Sequence, residues 1–288
     1  MSAAAGADLA PAPSPGVIRP MTADYRPHRA LAERAAVAAG RLLVEQQARV
    51  TAREKGPGDL VTAADSASQR LIAAMIAAEH PDHAVLGEED GLVADPANPW
   101  RWVVDPLDGT VNYAHGFPFW SVSIALEHAG ELVVGVVHDP VSGRMFAASR
   151  GAGATCDGRP LRVSAATSLG SSLISTGFPT AFAADSPRQL ALLDRMATGT
   201  HSVRRTGSAA LNLAHVAAGH FEVFYATSIH PWDVAAGVVL VVEAGGRVSE
   251  LDGGPHRLDG GGLLATNGHV HAEAVAACVG AWPALAGR

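Results

Sequence analysis

Five acidic side chains set the chemistry available to this sequence: Asp65, Glu88, Asp105, Asp108 and Asp233. They fall in four short segments, each at the expected end of a strand or the start of a helix. Asp105 precedes Pro106, which disfavours helical backbone at the residue before it, so Asp105 is expected to project from a strand end. Pro106 then begins a turn that carries Asp108. Gly109 removes the side chain where backbone must come close to a ligand. The N–H groups around Gly109 and Thr110 can open a helix and meet a phosphate oxygen. Carboxylates without accompanying cysteine or paired histidine suit a hard cation, so the set favours Mg²⁺ over Zn²⁺. Several such groups buried together repel one another, and a divalent ion is the simplest compensation.

Each segment taken alone has a plainer reading. Asp105-Pro106-Leu107-Asp108-Gly109 makes a good β-turn. Glu88-Glu89-Asp90 reads as a solvated acidic loop. Asp233 reads as a helix N-cap, and Thr110 as another cap. His115, His138 and His230 read as core or surface histidines. The combined pattern and order of the acidic segments favour a site.

The elements that must position these groups follow from apolar spacing. Leu31, Ala35, Ala38 and Leu42 predict a helix over about 28–48. A second helix is expected near Asp65, with Ser66 and Gln69 at capping-box spacing and Leu71, Ile72, Met75 and Ile76 on its apolar face. Between them, Lys55-Gly56-Pro57-Gly58-Asp59 predicts a turn or loop. Ala84-Val85-Leu86 and Trp102-Val103-Val104 read as strands leading into the acidic segments. Further strands are expected near 119–127, 132–138, 144–149, 172–176, 201–205, 221–225, 247–250 and 263–266. Helices are expected near 186–197, 208–218, 233–244 and 270–280. The mixture implies an α/β, or layered α+β, architecture without repeats.

The 288 residues are 48% hydrophobic, enough for one large domain over 25–288 behind a flexible tail at 1–24. Met21 offers an internal start. Charged residues are 17%, the formal net charge is -7 and no long basic run occurs, so neither nucleic acid nor an anionic membrane is expected as a partner. The start lacks the features of a signal peptide, and the apolar run 234–242 is too short to span a bilayer. Cys156 and Cys278 form no framework, which fits a reduced cytoplasmic setting.

The sequence resembles the inositol monophosphatase family from about residue 28 to about 280. The matching segments are Asp59-Leu60-Val61-Thr62-Ala63-Ala64-Asp65, Gly87-Glu88-Glu89, Trp102-Val103-Val104-Asp105-Pro106-Leu107-Asp108-Gly109-Thr110-Val111-Asn112, Gly207-Ser208-Ala209-Ala210 and Pro231-Trp232-Asp233-Val234-Ala235-Ala236-Gly237. Glu243-Ala244-Gly245-Gly246 follows in family order. The resemblance implies alternating α and β layers in a sandwich, a homodimer, and hydrolysis of a small phosphomonoester with two or three Mg²⁺ ions. It implies that Glu88, Asp105 and the Leu107 carbonyl hold one ion, that Asp105, Asp108 and Asp233 hold a second, and that a third leans on Glu88. Asp65 and Thr110, with Glu88, are implied to orient the attacking water. Asp108, Gly109, Thr110, Ser208, Ala209, Ala226 and Asp233 are implied substrate neighbours.

One position departs from the inositol-specific pattern. Many members carry a glutamate seven positions before the Trp-Asp aspartate, and here that position is Ala226. The expected substrate is inositol 1-phosphate or a related cyclitol or sugar phosphate. Histidinol phosphate, fructose 1,6-bisphosphate and 3′-phosphoadenosine phosphates are the family alternatives. Lys55 matches a loop lysine of the family only if one residue is deleted. A haloacid-dehalogenase mechanism needs Asp-x-Asp, and Pro106 stands where the first aspartate would be. An inactive binding protein is disfavoured because every implied metal ligand is present, and a family member with an added non-catalytic binding role is kept as an alternative.

Overall fold

The protein is described from a computed structural model that covers residues 23–48, 52–56, 59–89, 91–93, 98–178 and 186–281. The expected tail falls almost wholly outside these residues, as do Met21, Pro57, Gly58 and Asp90. Helix α1 (Arg26–Gln47) buries one face built from Leu31, Ala35, Ala39 and Leu43. Helix α2 (Ala63–Glu79) packs against it and buries Ile72 and Ile76. Its start lies two residues before Asp65, near which the sequence predicts it. Thr62, in extended backbone, accepts from the Ala64 N–H and is bonded in return by Asp65, so the capping box is Thr62/Asp65 rather than Ser66/Gln69.

Ahead of α2, β1 (Ala52–Gly56) and β2 (Asp59–Thr62) form an antiparallel hairpin where the sequence suggested only a turn or loop. The chain then runs through β3 (Ala84–Gly87), β4 (Gly91–Val93), β5 (Trp100–Asp108), the short helix α3 (Thr110–Ala114), β6 (Ser121–His128), β7 (Glu131–Asp139), β8 (Arg144–Ser149), β9 (Ala154–Cys156) and β10 (Arg159–Pro160). These strands make an eight-stranded sheet of order β10-β9-β8-β7-β6-β5-β3-β4. The second half supplies β11 (Leu173–Gly177), α4 (Ser186–Ala197), β12 (Ser202–Arg204), α5 (Ala209–Ala217), β13 (Val223–Ala226), α6 (Pro231–Glu243), β14 (Arg247–Ser249), β15 (Leu263–Thr266) and α7 (His271–Ala281). Its strands form a five-stranded sheet of order β12-β11-β13-β15-β14.

The period-2 alternation of each strand explains the layering. Trp102 and Val104 of β5 face α1 and α2, whereas Val103 faces α5 and α6. On β13, Phe224 and Ala226 face that same inner helical layer, and Val223 and Tyr225 face α4 and α7. The result is an alternation of helix pair, sheet, helix pair, sheet and helix pair, as expected. Helix α6 lies so close to the large sheet that a β-carbon at Gly135 would collide with the Ala236 carbonyl oxygen. No helix among the described residues is long and apolar enough to cross a membrane.

Candidate active site

Strands β3 and β5 run parallel, so their C-terminal ends deliver acidic groups to one place. Glu88 follows β3 directly, and its N–H bonds the Val104 carbonyl at 3.3 Å. Asp105 does not end its strand. Strand β5 continues to Asp108, and its pairing with β6 shifts register between Asp105 and Asp108. That irregularity accommodates Pro106, which cannot donate to a sheet ladder. Asp105 Oδ1 accepts the Leu107 N–H at 3.0 Å, which folds the strand end back on itself.

Helix α2 braces this corner from below. Ser68 Oγ donates to the Pro106 carbonyl at 2.9 Å, and Gln69 Oε1 accepts the Glu89 N–H at 2.9 Å. At the helix start Asp65, fully buried, uses Oδ2 for the N–H and hydroxyl of Thr62. Its Oδ1 meets the Thr110 hydroxyl at 3.2 Å. The same hydroxyl lies 3.1 Å from the Leu107 carbonyl oxygen. Gly109, which precedes Thr110, has φ +95°, a conformation that L side chains rarely adopt.

Asp108 is held by the far half of the molecule. It accepts the N–H groups of Ala209 and Ala210 at 3.1 and 3.0 Å, the hydroxyl of Ser208, and the Ser121 hydroxyl at 3.2 Å. Ser208 and Ala209, expected near substrate, are thus engaged with Asp108 at the start of α5. Asp233 stands in the first turn of α6, where its Oδ2 accepts the His230 N–H at 2.8 Å. Asp233 is therefore not the N-cap that its plain reading made it: His230 holds that position, and Asp233 is the third residue of the helix, bonding back to it as in a capping box. Ala226 is 1% exposed and belongs to the inner apolar layer. His138 is buried and bonded to the Arg144 carbonyl, in keeping with a core histidine.

Electrostatics separate Asp105 from the rest. It is 2% exposed, and burial drives its carboxyl well above the usual carboxylate range. The charges of Glu88, Asp108 and Asp233 push in the same direction, in that order. Four acidic groups from β3, β5 and α6 therefore act on one spot. Asp108 and Asp65 are also raised by burial, opposed in each case by the hydrogen bonds they accept. An all-oxygen donor set of mutually repelling carboxylates fits hard divalent cations, whose charge removes the repulsion.

The inositol monophosphatase family profile matches residues 24–281. The chain belongs to that family. It is 42% identical over 213 residues to the inositol-1-monophosphatase of Mesorhizobium japonicum, covering 74% of this chain and 80% of that protein. It is 41% identical over 249 residues to the Nus factor SuhB of Pseudomonas aeruginosa, covering 82% and 90%. Among solved structures, the inositol monophosphatase of Anabaena (Nostoc) sp. PCC 7120 superposes with a TM-score of 0.82 at 39% identity, covering 88% of this chain and 96% of that one. Membership makes this chain a phosphatase-type hydrolase, as the motifs implied. The supports Ser68, Gln69 and Ser121 carried no such signal, because their partners lie far away in sequence.

Proposed function

We propose that this member of the inositol monophosphatase family hydrolyses inositol 1-phosphate or a related cyclitol or sugar phosphate, with Mg²⁺ as cofactor. The observation that carries the reading is the pressure of Glu88, Asp108 and Asp233 on the buried Asp105. Glu88, Asp105 and the Leu107 carbonyl would hold one ion, Asp105, Asp108 and Asp233 a second, and Glu88 would share a third. When bound, Mg²⁺ supplies a water of lowered pKa and neutralises the phosphoryl oxygens.

The protein's own groups do the positioning. Asp65 Oδ1 takes the Thr110 hydroxyl proton, which leaves the Thr110 Oγ1 lone pairs to accept a hydrogen bond from the attacking water. Glu88, at the neighbouring end of the parallel strand β3, would help orient the same water. The N–H groups of Gly109 and Thr110, at the start of α3, would meet the phosphoryl oxygens. The resemblance puts a glutamate of inositol-specific members at the position of Ala226, which here pairs with Gly177 across β13 and β11 and offers no carboxylate. This favours a broad or shifted specificity over strict inositol recognition.

The deciding experiment is phosphate release over a panel of phosphomonoesters, including the histidinol, fructose and phosphoadenosine esters, with Mg²⁺ and with EDTA. Turnover of a small phosphomonoester that disappears with EDTA supports the proposal. Undiminished turnover in metal-free buffer overturns it. The likeness to a Nus factor supports a second, non-catalytic role beside catalysis, and the retained acidic set argues that catalysis persists. The same reading makes the protein a cytoplasmic homodimer, which sedimentation at micromolar concentration checks for its assembly.

A further inference from the structure

At the other end of α2 and β5 lies a group of rings that the hydrolytic reaction does not use. His80 caps the C-terminus of α2, His83 follows in the turn before β3, and His28 reaches them from α1. Their ring centroids are 4.8 Å (His28–His80), 5.9 Å (His28–His83) and 4.4 Å (His80–His83) apart. One nitrogen from each falls within 4.8 Å of the others. Trp100 stacks with His28, His83 and His128.

We propose that His28, His80 and His83 form a second metal site, taking one borderline transition ion such as Zn²⁺, Ni²⁺ or Cu²⁺. Three arguments support it. The donor class is right, because imidazole nitrogens select these ions over Mg²⁺. The geometry is near. Three nitrogens at Zn–N bond lengths of a tetrahedral site lie about 3.4 Å apart, so closure needs side-chain shifts on the order of 1 Å. The site is also unsatisfied as it stands, since His28 Nδ1 is buried and has no hydrogen-bond partner. A metal bond through Nδ1 would end that orphaned state. Burial and neighbouring histidines lower the pKa of His28, and that of His83 to about 4, so both rings present lone pairs rather than charge at neutral pH.

Binding has a definite structural consequence. The three rings now stack within 15° of parallel, and parallel rings do not aim at a single point. They must rotate to converge. His83 Nδ1 also accepts the Trp102 indole N–H at 3.1 Å, and coordination by His83 through either nitrogen costs that bond, because Nδ1 must then bind the metal or carry the proton. Metal binding therefore disturbs Trp100 and Trp102 together. The site is separate from the carboxylates: His80 lies about 22 Å along the helix from Asp65 at 1.5 Å per residue. Trp100 lies about 17 Å along the strand from Asp105 at 3.3 Å per residue.

The test uses the full chain with Mg²⁺ in large excess to occupy the carboxylates. One equivalent of Cu²⁺ is added and followed by electron paramagnetic resonance and by tryptophan near-ultraviolet circular dichroism. The expected spectrum shows hyperfine coupling to several nitrogens, together with a change in the tryptophan bands. His80→Asn and His28→Gln should each weaken Cu²⁺ binding by tenfold or more, whereas His215→Asn should leave it unchanged. A wild-type spectrum with oxygen ligands alone overturns the proposal without any variant. So does a nitrogen signal that survives both His80→Asn and His28→Gln, or one that follows His215.

Discussion

Asp65 and Thr110 meet at 3.2 Å although they begin two different helices. Asp65 sits in the first turn of α2 and Thr110 opens α3, so the contact locks together the two helix starts that flank the acidic corner. Asp65 spends its other oxygen on Thr62, which leaves Oδ1 to the threonine.

Thr110→Ala should therefore lower kcat by about a hundredfold or more, the range of a lost proton-handling group. The Mg²⁺ dependence should shift little, because the hydroxyl orients water rather than the ion. Thr110→Ser should retain most activity. Steady-state kinetics over a Mg²⁺ series separate the two effects, and a variant limited mainly by metal affinity would contradict the assignment.

Asp105→Asn should cost more than the roughly hundredfold loss typical of an outer-shell partner. The same substitution should stabilise the metal-free protein. Asp105 holds its proton to higher pH folded than unfolded, so the metal-free fold loses stability as pH rises above about 4. Asparagine removes that charge. Its melting temperature without metal at pH 7 should exceed the wild type by about 2 °C or more, and Mg²⁺ should no longer raise it strongly.

Acid should act through histidines as well. Burial lowers His83, His215 and His271 to about 4, so each is neutral when folded and protonated when unfolded between about pH 4 and 6.5. The unfolded state binds more protons in that window, and stability falls as pH drops through it. Urea midpoints at pH 7, 6 and 5 should decline steadily, and His271→Gln should flatten the slope.

Neither thiol should matter to turnover. Burial pushes Cys278 up to about 12 and also raises Cys156, so neither offers a thiolate at neutral pH. The double variant Cys156→Ser with Cys278→Ala should release phosphate at near wild-type rate. Loss of activity in a folded double variant, judged by circular dichroism, would point to a thiol nucleophile.

Ala226→Glu tests substrate choice. The side chain would start in the inner apolar layer beside Gly177, which has no β-carbon to obstruct it. One added charged hydrogen bond should raise kcat/KM on inositol 1-phosphate about tenfold. Some stability should be lost, because a carboxylate at a buried position costs solvation. An unchanged specificity constant would show that another residue selects the polyol.

The long apolar-periodic helices and the acidic segments were legible in sequence because their signals are local. Leu31, Ala35 and Leu42 repeat within one helix, and Asp105-Pro106-Leu107-Asp108-Gly109 is contiguous. Strand β1 was not legible, since Ala52-Arg53-Glu54-Lys55-Gly56 has no apolar alternation and depends on pairing with β2. Gln69 has the spacing of a capping residue, but its side chain braces Glu89 instead. His80 and His83 carry no local signal, because the third ring of their group, His28, comes from α1, far away in sequence.

Asp108 ties β5 to the first turn of α5 through backbone and hydroxyl donors on residues 208–210. A descendant of this chain that gave up hydrolysis could replace Glu88 or Asp105 and relieve repulsion by doing so. Replacing Asp108 would instead uncap a helix and part the two sheets' shared layer. Drift after loss of activity should therefore erase Glu88 and Asp105 before Asp108, which would remain as a relic of the reaction it once served.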